Sequence, residues 1–264
     1  MIIIGEKINA TLSSVKSMIL NRETKRLVEL AKKQAESGAT FIDVNVGTGV
    51  GSLKDEIESI QWAVESIQEH INTPLCIDSA DPKVMETGLN VLHSKPAMIN
   101  SAKAEKSNLE AVVPLAAEHD AFLIALTMDE SGIPKTVDGR LRCCERILGA
   151  CETYGVSIQN LYLDPLVMPI STDINSGMVT LNTLTAIKEK FPGAKTVTGL
   201  SNVSYGLPQR RMLNVAFLHM CIFAGLDAAL IDPLDQPLTA AIKTGEVLAG
   251  KDRHCRRYTR AFRA

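Results

Sequence analysis

The chain has 264 residues, 45% hydrophobic and 22% charged, with a net charge of −2, which is enough apolar material for a core and too little charge for disorder. That balance argues against nucleic acid or a membrane surface as the main partner. No apolar run reaches the roughly 18–20 residues that span a bilayer, and MIIIGEKIN lacks the basic start of a signal peptide, so the expected location is the cytoplasm.

In chain order, short β-branched runs recur at 2–8, 41–46, 75–79, 97–101, 122–127, 161–167, 196–200 and 228–231. Segments with helical spacing lie between them. TKRLVELAKKQAESGA (24–39) puts Leu27, Leu30, Ala31 and Ala35 on one stripe and stops at Gly38. A further helix is expected at 52–70. DPKVMETGLNVLHS (81–94) opens on Asp81 as N-cap, with Pro82 in the first helical position. Others follow at 107–118, 138–154, 175–190, 210–224 and 236–249. Eight strands alternating with eight helices in about 250 residues match a parallel (β/α)8 barrel. The expected fold is therefore α/β, a single-domain (β/α)8 TIM barrel over residues 1–264. A doubly wound open sheet shares the local periodicity. It is disfavoured because no GxGxxG follows an early strand and the spacing runs end to end without a linker.

The six cysteines (Cys76, Cys143, Cys144, Cys151, Cys221 and Cys255) form no CxxC, and the five histidines form neither HExxH nor His-x-His, so no structural metal is expected. Cys143, Cys144 and Cys151 fall in a helical segment and read as small buried apolar residues. The closing stretch, KDRHCRRYTRAFRA (251–264), carries six Lys/Arg against one Asp and reads as a solvated terminal helix.

Almost every predicted strand ends in polar residues: Glu6 and Asn9, Asp43 and Asn45, Asp78 and Ser79, Asn100 and Ser101, Thr127 and Asp129, Asp164, Ser201 and Asn202, Asp232. Any one of these would mark a strand turning into a loop. As a set on a barrel they converge on one mouth, where this architecture places its active sites. Carboxylates and carboxamides dominate, and Lys7 is the only lysine among them. Such a rim suits neither phosphate, which wants cations or a glycine nest, nor Ser–His catalysis. It suits a flat, neutral heterocycle with N–H donors and ring acceptors, pterin-like or purine-like. An Asp accepts from an amino/N–H edge and an Asn donates and accepts at once.

The segments GEKIN, DSADP, AMINS, LTMDESGIP, LYLDPLVMP and GLSNVSYGLPQR, in that order through nearly the whole chain, resemble the pterin-binding methyltransferases. These are the methyltetrahydrofolate:corrinoid protein methyltransferases and the folate module of cobalamin-dependent methionine synthase. The resemblance implies a (β/α)8 barrel in which Asp78 of IDSA, Asn100 of MINS and Asp164 of LDPL hold the pterin. It places Asn202 of SNVS beside the pterin N5 as the catalytic group, and Arg210 in the surrounding network. Glu6 and Asn9 fall on the family's first-strand motif. Dihydropteroate synthase, a more distant relative, has a Lys at the end of strand seven where this chain has Asn202.

What the resemblance implies is methyl transfer, in either direction, between N5 of tetrahydrofolate and the cobalt of a corrinoid (cobalamin). N5 leaves badly unless its developing charge is met, and Asn202 can donate there without holding a buried ion. The family's corrinoid-binding motif, Asp-x-His-x-x-Gly, is missing, so the corrinoid is expected on a separate protein that docks over the mouth. His219 reads as a packing residue. A homodimer is expected from the family. The alternatives are a dihydropteroate synthase-like condensing enzyme and a non-catalytic pterin-binding subunit.

Overall fold

In the computed structural model, which describes residues 1–263, the β-branched runs become parallel strands, each paired with the next until the last pairs with the first. In order, β1 is Ile2–Asn9, β2 Phe41–Asn45, β3 Leu75–Asp78 and β4 Met98–Lys103. The second half is β5 Phe122–Leu126, β6 Leu161–Asp164, β7 Lys195–Gly199 and β8 Ala228–Ile231. Two helices, α1 (Ser13–Leu20) and α2 (Thr24–Glu36), follow β1. Then come α3 (Leu53–Gln68), α4 (Pro82–Val91), α5 (Lys106–Glu118) and α6 (Val137–Tyr154). The ring continues with α7 (Ser176–Lys190), α8 (Arg210–Phe223) and α9 (Gln236–Leu248), and α10 (Arg256–Phe262) is appended. The open-sheet alternative is excluded, because β8 closes on β1 with Ile2 to Gly5 opposite Ala228 to Ile231.

The strands are short and alternate in facing. Ile4, Phe41, Cys76, Met98, Ile124, Tyr162, Val197 and Ala228, one from each strand, form a cluster inside the barrel. The next residues, among them Ile42, Ile77, Ile99 and Leu163, face outward and pack under the helices. Two positions along from the inner cluster each strand points inward again, and this second layer is Glu6, Asp43, Asp78, Asn100, Leu126, Asp164, Gly199 and Leu230. The apolar plug is therefore capped by a layer in which five of eight positions are polar. The polar layer lies at the carboxyl ends of the strands, so it forms the floor of the mouth.

Several expectations are refined. The helix Ser13–Leu20 was not foreseen; it has no side-chain N-cap bond, and buries Val15, Met18 and Ile19. The sixth strand stops at Asp164 and does not reach 167, since Pro165 has no N–H to give the ladder and Leu166 takes a left-handed φ of 62°. The fourth strand runs on to Lys103 after a register shift against β5 between Asn100 and Ala102, so a second lysine closes a strand. Asp81 does cap α4, accepting from the Lys83 N–H at 2.8 Å, with Pro82 in the first turn. Cys143, Cys144 and Cys151 are buried in α6. His219 packs against α9, its Nε2 lying 2.7 Å from Thr244 Oγ1. The solvated terminal helix is α10, which buries none of its residues; Ala264 lies outside the described residues.

Candidate active site at the barrel mouth

A cavity of about 560 Å³ opens on the polar layer, lined by Glu6, Asn9, Asp43, Asp78, Asn202 and Arg210 and by groups from β8 and α9. Of the sequence-predicted residues, Asp78, Asn202 and Arg210 line this cavity directly. Asn100 and Asp164 stand in the same inward layer behind its wall. Asn100 is tied to the cavity through Asp43, whose Oδ1 accepts from Asn100 Nδ2 at 3.1 Å. Asp164 is linked through Gly199, a lining residue whose N–H it accepts.

The strand register sets the cradle. Asn45, Asp78 and Asn100 are opposite one another across β2, β3 and β4. Asn45 Nδ2 donates to Asp78 Oδ2 at 2.9 Å, which leaves Asp78 Oδ1 for another donor. Since Asn100 spends its amide N–H on Asp43, its Oδ1 is also left as an acceptor. Burial, then the charge of Asp78, push Asp43 well above the usual carboxylate range, against the hydrogen bonds from Asn100 and Cys76. Burial likewise raises Asp78.

Asp164, at the end of β6, is 6% exposed and accepts from the Leu166 N–H at 2.7 Å. Its pKa is pushed up to about 7 by burial, which outweighs the Leu166 N–H, the Arg140 charge, the Gly199 N–H and the Thr198 hydroxyl. Arg140 is itself buried in α6 and donates to the carbonyls of Pro134 and Leu166 at 3.1 and 3.0 Å. A cation thus stands behind the Asp164 carboxyl.

On the other side, β7 ends at Gly199 and the chain tightens into a 3-10 turn, Leu200–Ser204, that carries Asn202. Gly199 keeps the layer open, for a Cβ there would sit 3.4 Å from Asn202 Nδ2. Arg210 begins α8 and braces the turn, donating to the Ser201 carbonyl at 2.8 Å and to Ser204 Oγ at 3.1 Å. Asn9 mainly shapes the loop after β1, its Oδ1 accepting from Thr11 N–H and Oγ1 at 2.9 and 2.7 Å.

Five carboxyls line the cavity: Glu6, Asp43, Asp78, Asp232 and Asp235. Asp232 pairs with Lys7 at 3.1 Å and Asp235 with Arg211 at 2.9 Å. Among the described residues, Glu6 alone of the five has no hydrogen-bond partner. Burial and then the Asp232 charge raise it to about 7, against Lys7 and Arg210. Asn214, one helical turn after Arg210, also lines the cavity and has its Oδ1 buried without a partner. Among the described residues no group of three or more His, Cys, Asp or Glu side chains is placed to hold a metal ion.

Sequence reasoning put Asp43 on the rim but not among the ligand-holding residues. Its signal was present, because Phe41-x-Asp43 repeats the inner-apolar, inner-polar spacing of Cys76-x-Asp78, Met98-x-Asn100 and Tyr162-x-Asp164. Arg140, Arg211 and Asn214 were missed. They sit inside helices, where nothing in the spacing separates a mouth-facing polar residue from a solvated one.

The model of the pterin binding enzyme family matches residues 5–232. The chain belongs to that family. Over 265 aligned residues this pterin-binding enzyme is 36% identical to a methylcorrinoid:tetrahydrofolate methyltransferase of Eubacterium limosum, covering 100% of this chain and 96% of the relative. It is 30% identical to methionine synthase of Mycobacterium tuberculosis, covering 87% of this chain and 20% of that much longer protein. Among solved structures, dihydropteroate synthase from Stenotrophomonas maltophilia, with imidazole in its active site, superposes with a TM-score of 0.71. That match covers 94% of this chain and 92% of the other at 19% identity, a likeness of fold.

Proposed function

We propose that this pterin-binding enzyme transfers a methyl group between N5 of tetrahydrofolate and the cobalt of a corrinoid carried by a separate protein. The observation that carries the reading is the polar inward layer itself. Carboxyl and carboxamide groups from five strands form an acceptor-rich floor, and Asn202 hangs over its one glycine gap. Asp78, Asn100 and Asp164 hold the amino/N–H face of the pterin, and charge-assisted bonds of that kind are worth about 1.5–3 kcal/mol each.

In the direction that methylates the corrinoid, the N5–methyl bond breaks, its electron pair stays on N5 and a proton is taken up there. The cobalt supplies the pair for the new bond and goes from Co(I) to Co(III). The reverse releases the N5 proton. Asn202 donates to N5 as charge builds, and Asp164, next to it through Gly199 and titrating near neutrality, belongs to the water-linked path that moves the proton. Arg210 fixes the turn bearing Asn202.

The partner approaches over the mouth. Leu12, Val50, Ile174, Tyr205, Met212 and Leu234 are exposed large apolar side chains on loops and helix starts that follow strand ends, and they form a rim fit for a protein surface. A second apolar face, with Phe223 85% and Leu248 83% exposed at the ends of α8 and α9, lies at the opposite end of the barrel. We assign it to a second copy of the chain, because pairing there leaves both mouths free. The whole chain acts as one barrel domain in the cytoplasm, with neither nucleic acid nor membrane as partner; among the described residues no helix is long and apolar enough to cross a bilayer.

The test is anaerobic conversion of cob(I)alamin and 5-methyltetrahydrofolate to methylcobalamin, followed by its cobalt absorption bands, and the reverse reaction with tetrahydrofolate. Saturable folate binding with no turnover in either direction, with cobalamin free or on a carrier protein, would leave only a binding subunit. A dihydropteroate synthase-like condensation is disfavoured by Asn202 in place of a lysine.

A further inference from the structure

Asp43 is 1% exposed in the middle of β2, which is flanked by β1, whose Glu6 stands in the same inward layer, and by β3. Its neighbours are Asp78 and the Cys76 thiol on β3 and the neutral Asn100 on β4, while Glu56 of α3 adds a further negative charge near Asp78. Among the described residues no lysine or arginine is a cause of the raised titration of either acid, and two ionised carboxylates side by side in a dry site repel strongly. Asn100 Nδ2 gives its hydrogen to Asp43 Oδ1, and Asn45 Nδ2 gives its own to Asp78 Oδ2, which leaves one oxygen on each carboxyl for a shared proton. Asp43, 1% exposed, is the drier of the two, while Asp78 is partly exposed to the cavity, so the proton rests on Asp43.

We propose that Asp43 is a positioning residue that stays protonated, donates to an ionised Asp78 and accepts from Asn100, so that the Asn100 carboxamide presents its Oδ1 to the ligand. The cradle then shows acceptors only, and it selects an edge with adjacent N–H donors over one with ring acceptors. The raised titration of Asp43, through burial first and the Asp78 charge second, accords with this geometry. The inference rests on the pterin reading of the site for its ligand, though not for its proton.

The geometry separates two substitutions. In Asp43→Asn the amide can donate to Asp78 and accept from Asn100, reproducing the protonated acid, whereas Asp43→Ala removes both contacts. We expect D43A to weaken anaerobic tetrahydrofolate binding by about ten- to a hundredfold, and D43N to restore it to within about threefold of wild type. As pH rises, the wild-type pair loses its proton, Asp78 loses its donor and binding weakens; D43N has no such proton and lacks that alkaline loss. Infrared difference spectra without ligand, taken above the Glu6 and Asp164 transitions, should show a protonated-carboxyl band in wild type that is absent from D43N. D43N binding as poorly as D43A while both keep the wild-type unfolding midpoint, or no such band, overturns the proposal. A wild type that shows the band but does not bind tetrahydrofolate overturns the functional reading instead.

Discussion

Asn202 projects from a braced 3-10 turn over a glycine, and the proposed function puts its contribution in the transition state more than in holding the folate. Asn202→Ala should lower kcat about a hundredfold, the scale on which a single preorganised donor acts. The dissociation constant for 5-methyltetrahydrofolate should change less than about tenfold; stopped-flow turnover and equilibrium binding measure the two, and equal losses would refute the role. Asp164 makes a second prediction. Its folded pKa of about 7 lies above the ordinary aspartate value of 3.8, so between these limits the folded state binds the proton and the unfolded state does not. Stability contributed by this group is full at the acid end and falls as pH rises towards 7. Asp164→Asn should therefore be more stable than wild type in mildly alkaline buffer, on the order of 2–3 kcal/mol, with the gain vanishing towards acid pH. Urea midpoints at the two ends of that range check it.

At the scale of elements, the GEKIN stretch has a packing reason for its glycine. A Cβ on Gly5 would meet Gln34 Oε1 at 2.5 Å, and Gln34 is fully buried while accepting the Lys7 N–H at 3.0 Å, so it cannot give way. Gly5→Ala should cost about 1–3 kcal/mol of stability by overpacking, read from the urea midpoint. Because Glu6 follows directly, the same change should disturb the β1 side of the mouth. The unforeseen α1 illustrates how an element can escape a reading by caps. Val15, Met18 and Ile19 carry its apolar stripe, but with no capping side chain the run looks like loop.

For the whole molecule, the strands divide the surface by function: the ends where they finish carry chemistry and the ends where they begin are free to pair. Phe223→Glu combined with Leu248→Glu should convert a dimer to a monomer in sedimentation equilibrium, since a charge facing its own copy across an isologous contact is repeated. Turnover with free cobalamin should persist, for no mouth residue is altered. An unchanged mass would remove that face from the interface.

The sequence by itself determined the alternation of strand and helix, and with it the polar strand ends that suggested a flat heterocycle. Those properties are local: β-branched runs favour pleats, and a side-chain period of two or 3.6 is written residue by residue. Tertiary structure alone decided that the sheet closes, that Asp43 lies beside Asp78 and Asn100, and that Arg140 stands behind Asp164. Such contacts join residues tens of positions apart, and barrel register and burial, which no short window encodes, set their protonation. An inward layer of acceptors around one proton is the physical core of this protein. Spectroscopy finding Asp43 ionised in the resting fold would leave that picture without its centre.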